Sequence, residues 1–217
     1  MFKRALLTLS LAFLSLSCSA AEEAAPAPSP YEEGKHYTVI TPALRTTNPN
    51  AVEVAEFFWY GCSHCYTFET MIGPWKKALA DDVVFRGIPA VWRQGMDLHA
   101  RAYYTAEALG VMDPMHQVIF KAMNVDRKPL ASKSEIRKLF TANGVTADDF
   151  DATFESFGVG SQVNKGVSTG RSAKISGTPS MMVNGKYLIT TRGAGDQAGM
   201  LKVVDYLVEK ERKMLQK

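Results

Sequence analysis

Apolar residues occupy both faces of the stretch VEVAEFFW at residues 52–59, where Glu56 is a carboxylate in an apolar setting. Successive side chains of a β-strand point to opposite faces, so a strand that is apolar on both faces is covered on both sides, usually by helices. The pattern therefore predicts a buried central strand. Residues 37–40 and 83–88 also have the composition of strands.

A helix is predicted just after the central strand. From Cys62 to Ile72 the apolar positions recur every three or four residues, and the stretch Gly73-Pro74-Trp75 then predicts an interruption of the helix. A strand at residues 83–88 follows. The order strand, helix, strand indicates the beginning of an α/β domain.

No strand is predicted between residue 96 and about residue 170, where helical segments follow one another. The segments are DLHARAYYTAEALG, DPMHQVIFKAMN, SKSEIRKLFTANG and TADDFDATFESFG. The third begins with Ser132 and Glu135, the spacing of a capping box. We therefore expect an all-helical insertion over residues 95–170.

Strand patterns return after this insertion. Residues 180–183 and 186–190 flank Asn184-Gly185, a dipeptide typical of a tight hairpin, and residues 197–216 have the pattern of an amphipathic helix. The chain is thus predicted to form one α/β domain in two parts, residues 36–94 and 171–217, separated by the helical insertion.

The first 21 residues have the pattern of an export signal. Lys3 and Arg4 precede an apolar stretch, residues 5–16, that is too short to cross a membrane, and small residues follow it. Residues 22–35 are rich in Ala, Pro and Glu and are expected to form a linker. Two possibilities outside the cytoplasm remain open: a soluble protein, or one anchored through a lipid on Cys18.

Composition and charge exclude other classes of protein. With 217 residues, 46% of them hydrophobic, the chain can bury a core without metal ions or structural disulfides. The chain has 25 Lys and Arg against 22 Asp and Glu, and removal of the signal with Lys3 and Arg4 leaves a net charge of +1 (25 − 2 − 22). A nearly neutral chain has no electrostatic support for binding nucleic acid.

Two cysteines, in the stretch GCSHCY, are the strongest chemical signal. Cys62 follows a strand and Gly61, so it should lie where the helix begins, and there free backbone N–H groups and the helix dipole stabilise a thiolate. Cys65 lies one turn further along on the same side, in a more buried position. An exposed and a recessed thiol that can form a disulfide are what thiol–disulfide exchange requires.

Residues between and around the cysteines add to this prediction. A protonated His64 would stabilise the Cys62 thiolate; the alternative is a solvated loop histidine. Trp59 and Tyr60, next to the turn, are expected nearer the surface than the strand residues before them.

After signal removal only two unmodified cysteines remain, so a four-cysteine zinc site would require a partner chain, and His99 and His116 are 17 residues apart rather than at the spacing of a zinc finger. No metal ion or other cofactor is therefore expected, so electrons must leave through another protein.

The stretch EFFWYGCSHCYTFE, with GTPSMMVNGKY downstream, a helical insertion between them and an export signal in front, resembles the DsbA family of thiol–disulfide oxidoreductases. The resemblance implies a thioredoxin-like fold with an inserted all-helical domain. It also implies a monomeric periplasmic enzyme that donates disulfides to unfolded exported polypeptides and is reoxidised by a quinone-linked membrane partner of the DsbB type.

The resemblance assigns roles to individual residues. Cys62 would be the nucleophilic cysteine, Cys65 the resolving cysteine and Pro179 a cis-proline facing them. Glu56 and Glu69 match the acidic residues that the family keeps beneath the active site, where they could accept or relay the proton of Cys65.

Two positions depart from the family pattern. Ser63 replaces the usual proline between the cysteines, which leaves the redox potential open. The usual lysine near the acids has no assigned counterpart, although Arg86 lies nearby in sequence. Thr178 precedes Pro179, and its backbone is expected to pair with an extended substrate.

A reductase or isomerase on the same fold and a non-catalytic holdase are the alternative functions.

Overall fold

The computed structural model describes residues 29–215, and residues 31–215 belong to one compact unit. The predicted export signal, Cys18 and the first part of the linker lie outside the described residues. Among the described residues, no helix has both the length and the apolar character needed to cross a bilayer.

The central element is a five-stranded mixed sheet. Its strands are β1 (Thr38–Val39), β2 (Val52–Phe58), β3 (Val83–Pro89), β4 (Ser180–Val183) and β5 (Tyr187–Thr190). The order across the sheet is β1-β5-β4-β2-β3, in which only β2 and β3 pair in parallel. Every residue of β2 is buried, so the predicted central strand is confirmed.

Eight helices are described in the same part of the chain. They are α1 (Ser63–Lys77), α2 (Met96–Ala108), α3 (Met112–Asn124), α4 (Lys133–Thr141), α5 (Ala147–Phe154), α6 (Phe157–Ser172), α7 (Thr191–Ala194) and α8 (Gln197–Leu215). Helices α2 to α6 all lie between β3 and β4 in sequence. Helix α4 is capped as the sequence predicts, because Ser132 accepts a hydrogen bond from the backbone N–H of Glu135 at 3.2 Å.

The predicted interruption at Pro74 is wrong, because α1 continues through this residue to Lys77. Proline removes one backbone donor from a helix, a cost that tertiary contacts can offset. Here the last turn is held by Trp75, whose indole N–H donates to Asp205 at 2.7 Å and whose ring packs on Phe85.

Helix α6 had no separate prediction, because its sequence FGVGSQVNKGVSTGRS contains four glycines, which disfavour helices. Packing explains its formation. A Cβ on Gly166 would lie 3.0 Å from the Tyr104 hydroxyl, and one on Gly170 would lie 3.2 Å from Ile175. The glycines therefore allow the helix to approach its neighbours closely, and the Ser156 side chain caps it by accepting from Val159 N–H.

Candidate active site

A tight turn places Cys62 at the start of α1. The Cys62 N–H donates to the Trp59 carbonyl at 2.9 Å, and Cys62 is the N-cap of the helix. Gly61 is required in this turn, because a Cβ there would lie 2.4 Å from the Trp59 ring. The Trp59 ring is in turn fixed by its N–H, which donates to His99 Nδ1 at 2.9 Å. The strand, turn and helix thus present Cys62 at the carboxyl end of β2.

Several donors converge on the sulfur of Cys62, which is partly exposed. They lower the pKa of Cys62 from 9.0 to about 5, chiefly through a hydrogen bond from the Cys65 side chain, against the opposing effect of partial burial. The Thr178 side chain and the backbone N–H groups of Cys65 and His64 also donate. At neutral pH Cys62 is therefore a thiolate, the reactive form of cysteine.

Cys65 lies in the opposite environment. Its side chain is fully buried, and burial, followed by the hydrogen bond to Cys62, raises its pKa above the ordinary value. Both cysteines are free thiols in the structure. The two sulfurs therefore differ as the sequence predicts, one ionised and accessible and the other protonated and buried.

The segment around Pro179 faces Cys62. The Thr178–Pro179 peptide bond is cis, and the Thr178 carbonyl lies 3.5 Å from the Cys62 sulfur. Pro179 is buried directly before β4, which is an internal strand that pairs with both β2 and β5. The backbone just before Pro179 lies beside Cys62, and its pairing with a substrate stays a prediction.

His64 and Ser63 are both exposed in the first turn of α1. The part of residue 64 that contacts the Cys62 sulfur is its backbone N–H. Its carbonyl accepts a hydrogen bond from Gln197 at 2.7 Å, so the start of α8 braces the first turn of α1. The stabilising effect of the His64 imidazole stays a prediction.

The two glutamates lie together behind the cysteines, and their protonation differs. Burial, followed by the nearby charge of Glu69, raises the pKa of Glu56 to about 8. The Glu56 oxygen Oε1 has no hydrogen-bond partner among the described residues. Burial also acts on Glu69, but hydrogen bonds from His116 at 3.2 Å and from Gln117 at 3.0 Å lower its pKa below the ordinary value. At neutral pH the pair therefore holds one proton, on Glu56.

His116 links this acid pair to Tyr60. Its Nε2 lies against Glu69, and its Nδ1 is 2.8 Å from the Tyr60 hydroxyl. Tyr60 is only 1% exposed, so the expectation that it lies nearer the surface is wrong. Its ring packs against Phe58 and Phe120, which explains the burial.

Lys76 supplies a positive charge near the two acids, which opposes the rise in the pKa of Glu56 and contributes, after His116, to the fall in the pKa of Glu69. Sequence reasoning missed this residue, although Glu69 and Lys76 are seven positions apart and so lie on the same face of α1. Arg86, left unassigned by the sequence, binds Glu53 at 3.0 Å instead. The acids line a groove of about 850 Å³, which Lys76 and His116 also line.

Comparisons with known proteins agree with this geometry. A family model described as a DSBA-like thioredoxin domain matches residues 75–204. Thiol:disulfide interchange protein DsbA of Pseudomonas aeruginosa is 36% identical over 207 residues, which covers 95% of this chain and 96% of that protein. The protein of the same name from Azotobacter vinelandii is 37% identical, covering 93% and 94% of the two chains.

Solved structures give the same result. The crystal structure of Pseudomonas aeruginosa DsbA has a TM-score of 0.83 at 36% identity and covers 86% of this chain and 97% of that chain. Oxidoreductase DsbA from Xylella fastidiosa has a TM-score of 0.79 at 32% identity, with coverage of 84% and 98%. The predicted thioredoxin-like fold is confirmed. This chain belongs to the DsbA family and is a thiol–disulfide oxidoreductase that acts on proteins.

Proposed function

We propose that this enzyme donates the disulfide between Cys62 and Cys65 to unfolded polypeptides exported to the periplasm. The observation that carries this proposal is the contrast between the two sulfurs. Hydrogen bonds stabilise the Cys62 thiolate, and this thiolate exists only when the pair is reduced. Stabilisation of the reduced form makes the disulfide more oxidising.

The proposed reaction transfers two electrons from a substrate dithiol to the enzyme. A substrate thiolate attacks the exposed Cys62 sulfur, the Cys62–Cys65 bond breaks, and Cys65 leaves with the electron pair. Because the Cys65 thiolate is strongly disfavoured by burial, it takes up a proton as it leaves. Glu56, which is protonated at neutral pH, is the proposed source of this proton.

The second step releases the product. The other substrate thiolate attacks the substrate sulfur of the mixed disulfide, and Cys62 leaves as a thiolate. Its pKa of about 5 makes it a good leaving group at neutral pH. The substrate gains a disulfide and the enzyme is left as a dithiol, with Glu69 held ionised by His116 throughout. A quinone-linked membrane partner of the DsbB type then reoxidises the pair.

The organisation of the chain supports a periplasmic location. We propose an export signal over residues 1–21 and a linker over residues 22–35, with the enzyme either soluble or anchored through Cys18. The two parts of the thioredoxin-like domain, residues 36–94 and 171–217, would enclose the helical insertion at 95–170. The enzyme is proposed to act as a monomer, because one chain carries both cysteines and both acids.

Equilibration with glutathione tests the proposed direction of electron flow. The protein is incubated in buffers with graded ratios of reduced to oxidised glutathione, and its free thiols are trapped and counted. We expect the pair to stay reduced even in buffers rich in oxidised glutathione. A pair that stays oxidised in strongly reducing buffers would instead identify a reductase or isomerase, and a disulfide that does not exchange would identify a holdase.

A further inference from the structure

A cleft of about 360 Å³ opens near the active site, at the carboxyl ends of β2 and β3. We call it the basic cleft; it is formed by the loop after β3 and the last turns of α6 with the segment that follows. Its lining includes Val91, Trp92, Arg171, Lys174 and Ile175. Its lining contains two cations and no carboxylate.

Two connections link this cleft to the segments that surround Cys62. On one side, Ala90 N–H donates to the Phe58 carbonyl at 2.8 Å, and the Arg93 guanidinium lies 5.2 Å from the centre of the Trp59 ring, three residues before Cys62. On the other side, Lys174 is four residues before Thr178. Four residues span at most about 14 Å of extended chain.

The surface of the cleft is suited to a ligand rather than to the protein's own packing. Trp92 is 50% exposed, which is unusual for such a large apolar side chain. Arg171 and Lys174 are both exposed, and neither forms an ion pair with a carboxylate among residues 29–215. An aromatic ring beside two free cations matches an acidic peptide that also carries an apolar side chain.

We propose that the basic cleft is a subsite for exported polypeptides with acidic residues, and an apolar side chain among them, about three to five positions from the reacting cysteine. An extended substrate that pairs with the backbone before Pro179 would continue along residues 174–178 and reach the cleft. This inference rests on the proposed function, because it concerns the substrates whose thiols are oxidised. The cleft selects among substrates and takes no part in the exchange chemistry.

Peptides that differ only in charge test the proposal. Each carries a pair of cysteines and, three to five positions from one of them, the tripeptide Asp-Phe-Glu, Asn-Phe-Gln or Lys-Phe-Lys, and both sides of the pair are tried. Second-order rates of oxidation by the Cys62–Cys65 disulfide are measured and divided by the rate with uncharged dithiothreitol. We expect the acidic peptide to react about fivefold faster than the neutral one in low salt, with the basic peptide slowest. High salt should remove this preference.

Matched variants connect the preference to the cleft. Arg171→Gln combined with Lys174→Gln should abolish most of the acidic preference. Lys165→Gln combined with Lys202→Gln removes two exposed cations outside the cleft and should retain it. Trp92→Ser should slow the acidic peptide that contains Phe more than one with Ala in its place.

The outcomes distinguish this inference from the proposed function. Oxidation of all peptides at equal rates, or a preference that both double variants lose equally, would overturn the subsite and leave the proposed function intact. Failure to oxidise any peptide would overturn both.

Discussion

The pKa of an ionisable side chain shifts in opposite directions in two neighbouring regions of the active site. One region is the turn that holds Cys62. The other is the acid pocket behind it, formed by Glu56, Glu69, Lys76 and His116. In the turn, hydrogen bonds outweigh partial burial and the pKa of Cys62 falls to about 5. In the pocket, burial dominates at Glu56, and its pKa rises to about 8. The difference shows that the supply of hydrogen-bond donors decides which group is charged.

The same contrast is repeated inside the acid pocket. Glu69 is close enough to Glu56 for its charge to raise the pKa of Glu56. Hydrogen bonds donated by His116 and Gln117 nevertheless keep Glu69 ionised. Glu56 has an oxygen without a described partner and stays protonated. The enzyme therefore keeps a thiolate, a carboxylate and a protonated carboxyl group close together at neutral pH.

Replacing either cysteine with serine should change the exchange chemistry more than any other substitution, because the two sulfurs have opposite roles. Cys65→Ser keeps the reactive Cys62 thiolate and removes the resolving thiol, so mixed disulfides with exported proteins should accumulate. Cys62→Ser should give none. Non-reducing gels of extracts should show reductant-sensitive adducts with Cys65→Ser only, and adducts found only with Cys62→Ser would mean that the roles are exchanged.

Glu56→Gln should stabilise the protein in alkaline solution. The folded pKa of Glu56 is raised from 4.5 to about 8, so the folded state binds its proton more tightly and stability is lost as the pH rises from 4.5 towards 8. Removing the ionisable group should raise the free energy of unfolding by roughly 2–4 kcal/mol at pH 8 and by much less at pH 4. Urea denaturation at both pH values measures this difference.

Glu53→Gln is the matched control, since Glu53 is a buried glutamate on the same strand. Its carboxylate accepts from Arg86 at 3.0 Å and from the Thr47 N–H at 2.9 Å, so the same substitution should destabilise the protein at pH 8. If Glu56→Gln were also destabilising at pH 8, the carboxyl group of Glu56 would have partners that keep it charged.

The reduced protein should be more stable than the oxidised protein, and increasingly so at higher pH. The folded pKa of Cys62 is depressed to about 5, so its contribution is complete above the ordinary value of 9.0 and is lost as the pH falls through 5. At pH 7 the contribution should be about 1–2 kcal/mol after allowance for solvent screening of this partly exposed group. Denaturation midpoints of the two forms that stay equal from pH 4 to pH 8 would contradict this.

His116→Phe should shift the proton balance of the acid pocket. Phenylalanine retains the ring that packs on Phe58 and Phe120 but cannot donate to Glu69, so the pKa of Glu69 should rise. The variant loses two hydrogen bonds, with Glu69 and with the Tyr60 hydroxyl, which should cost about 1–2 kcal/mol of stability at pH 7. Carbon NMR titration of the Glu69 carboxyl group measures the shift, and an unchanged titration would show that Gln117 and Lys76 keep it ionised without His116.

His64→Ala should have the smallest effect. The imidazole is exposed, so its charge is screened by solvent, whereas the backbone N–H that contacts Cys62 is retained in the variant. We expect the pKa of Cys62 to rise by roughly half a unit and the protein to become a slightly weaker oxidant. Ser63→Ala is the control, and an ultraviolet thiolate titration that is the same in both variants would identify His64 as a solvated residue without influence on the thiolate.

The sequence alone determined the order of the strands and of most of the helices, and the position of the cysteine pair at the start of a helix. The apolar pattern around residues 52–59 required a buried strand, and a strand, a glycine and Cys62 in succession required a thiol at the start of a helix. These features depend on residues close together in the chain. Local patterns determine them because backbone hydrogen bonding and side-chain direction repeat over a few residues.

Only the tertiary structure decided which groups are charged and which segments form helices despite containing proline or several glycines. The donor to Glu69 comes from His116, 47 residues away, and the carbonyl that lies against the Cys62 sulfur comes from Thr178, 116 residues from Cys62. Helix α1 continues through Pro74, and the glycine-rich α6 forms, because neighbouring elements supply contacts that local propensity does not. The physical reason is the same in each case. Burial and hydrogen-bond partners set both pKa values and helix stability, and they exist only after distant segments have packed together.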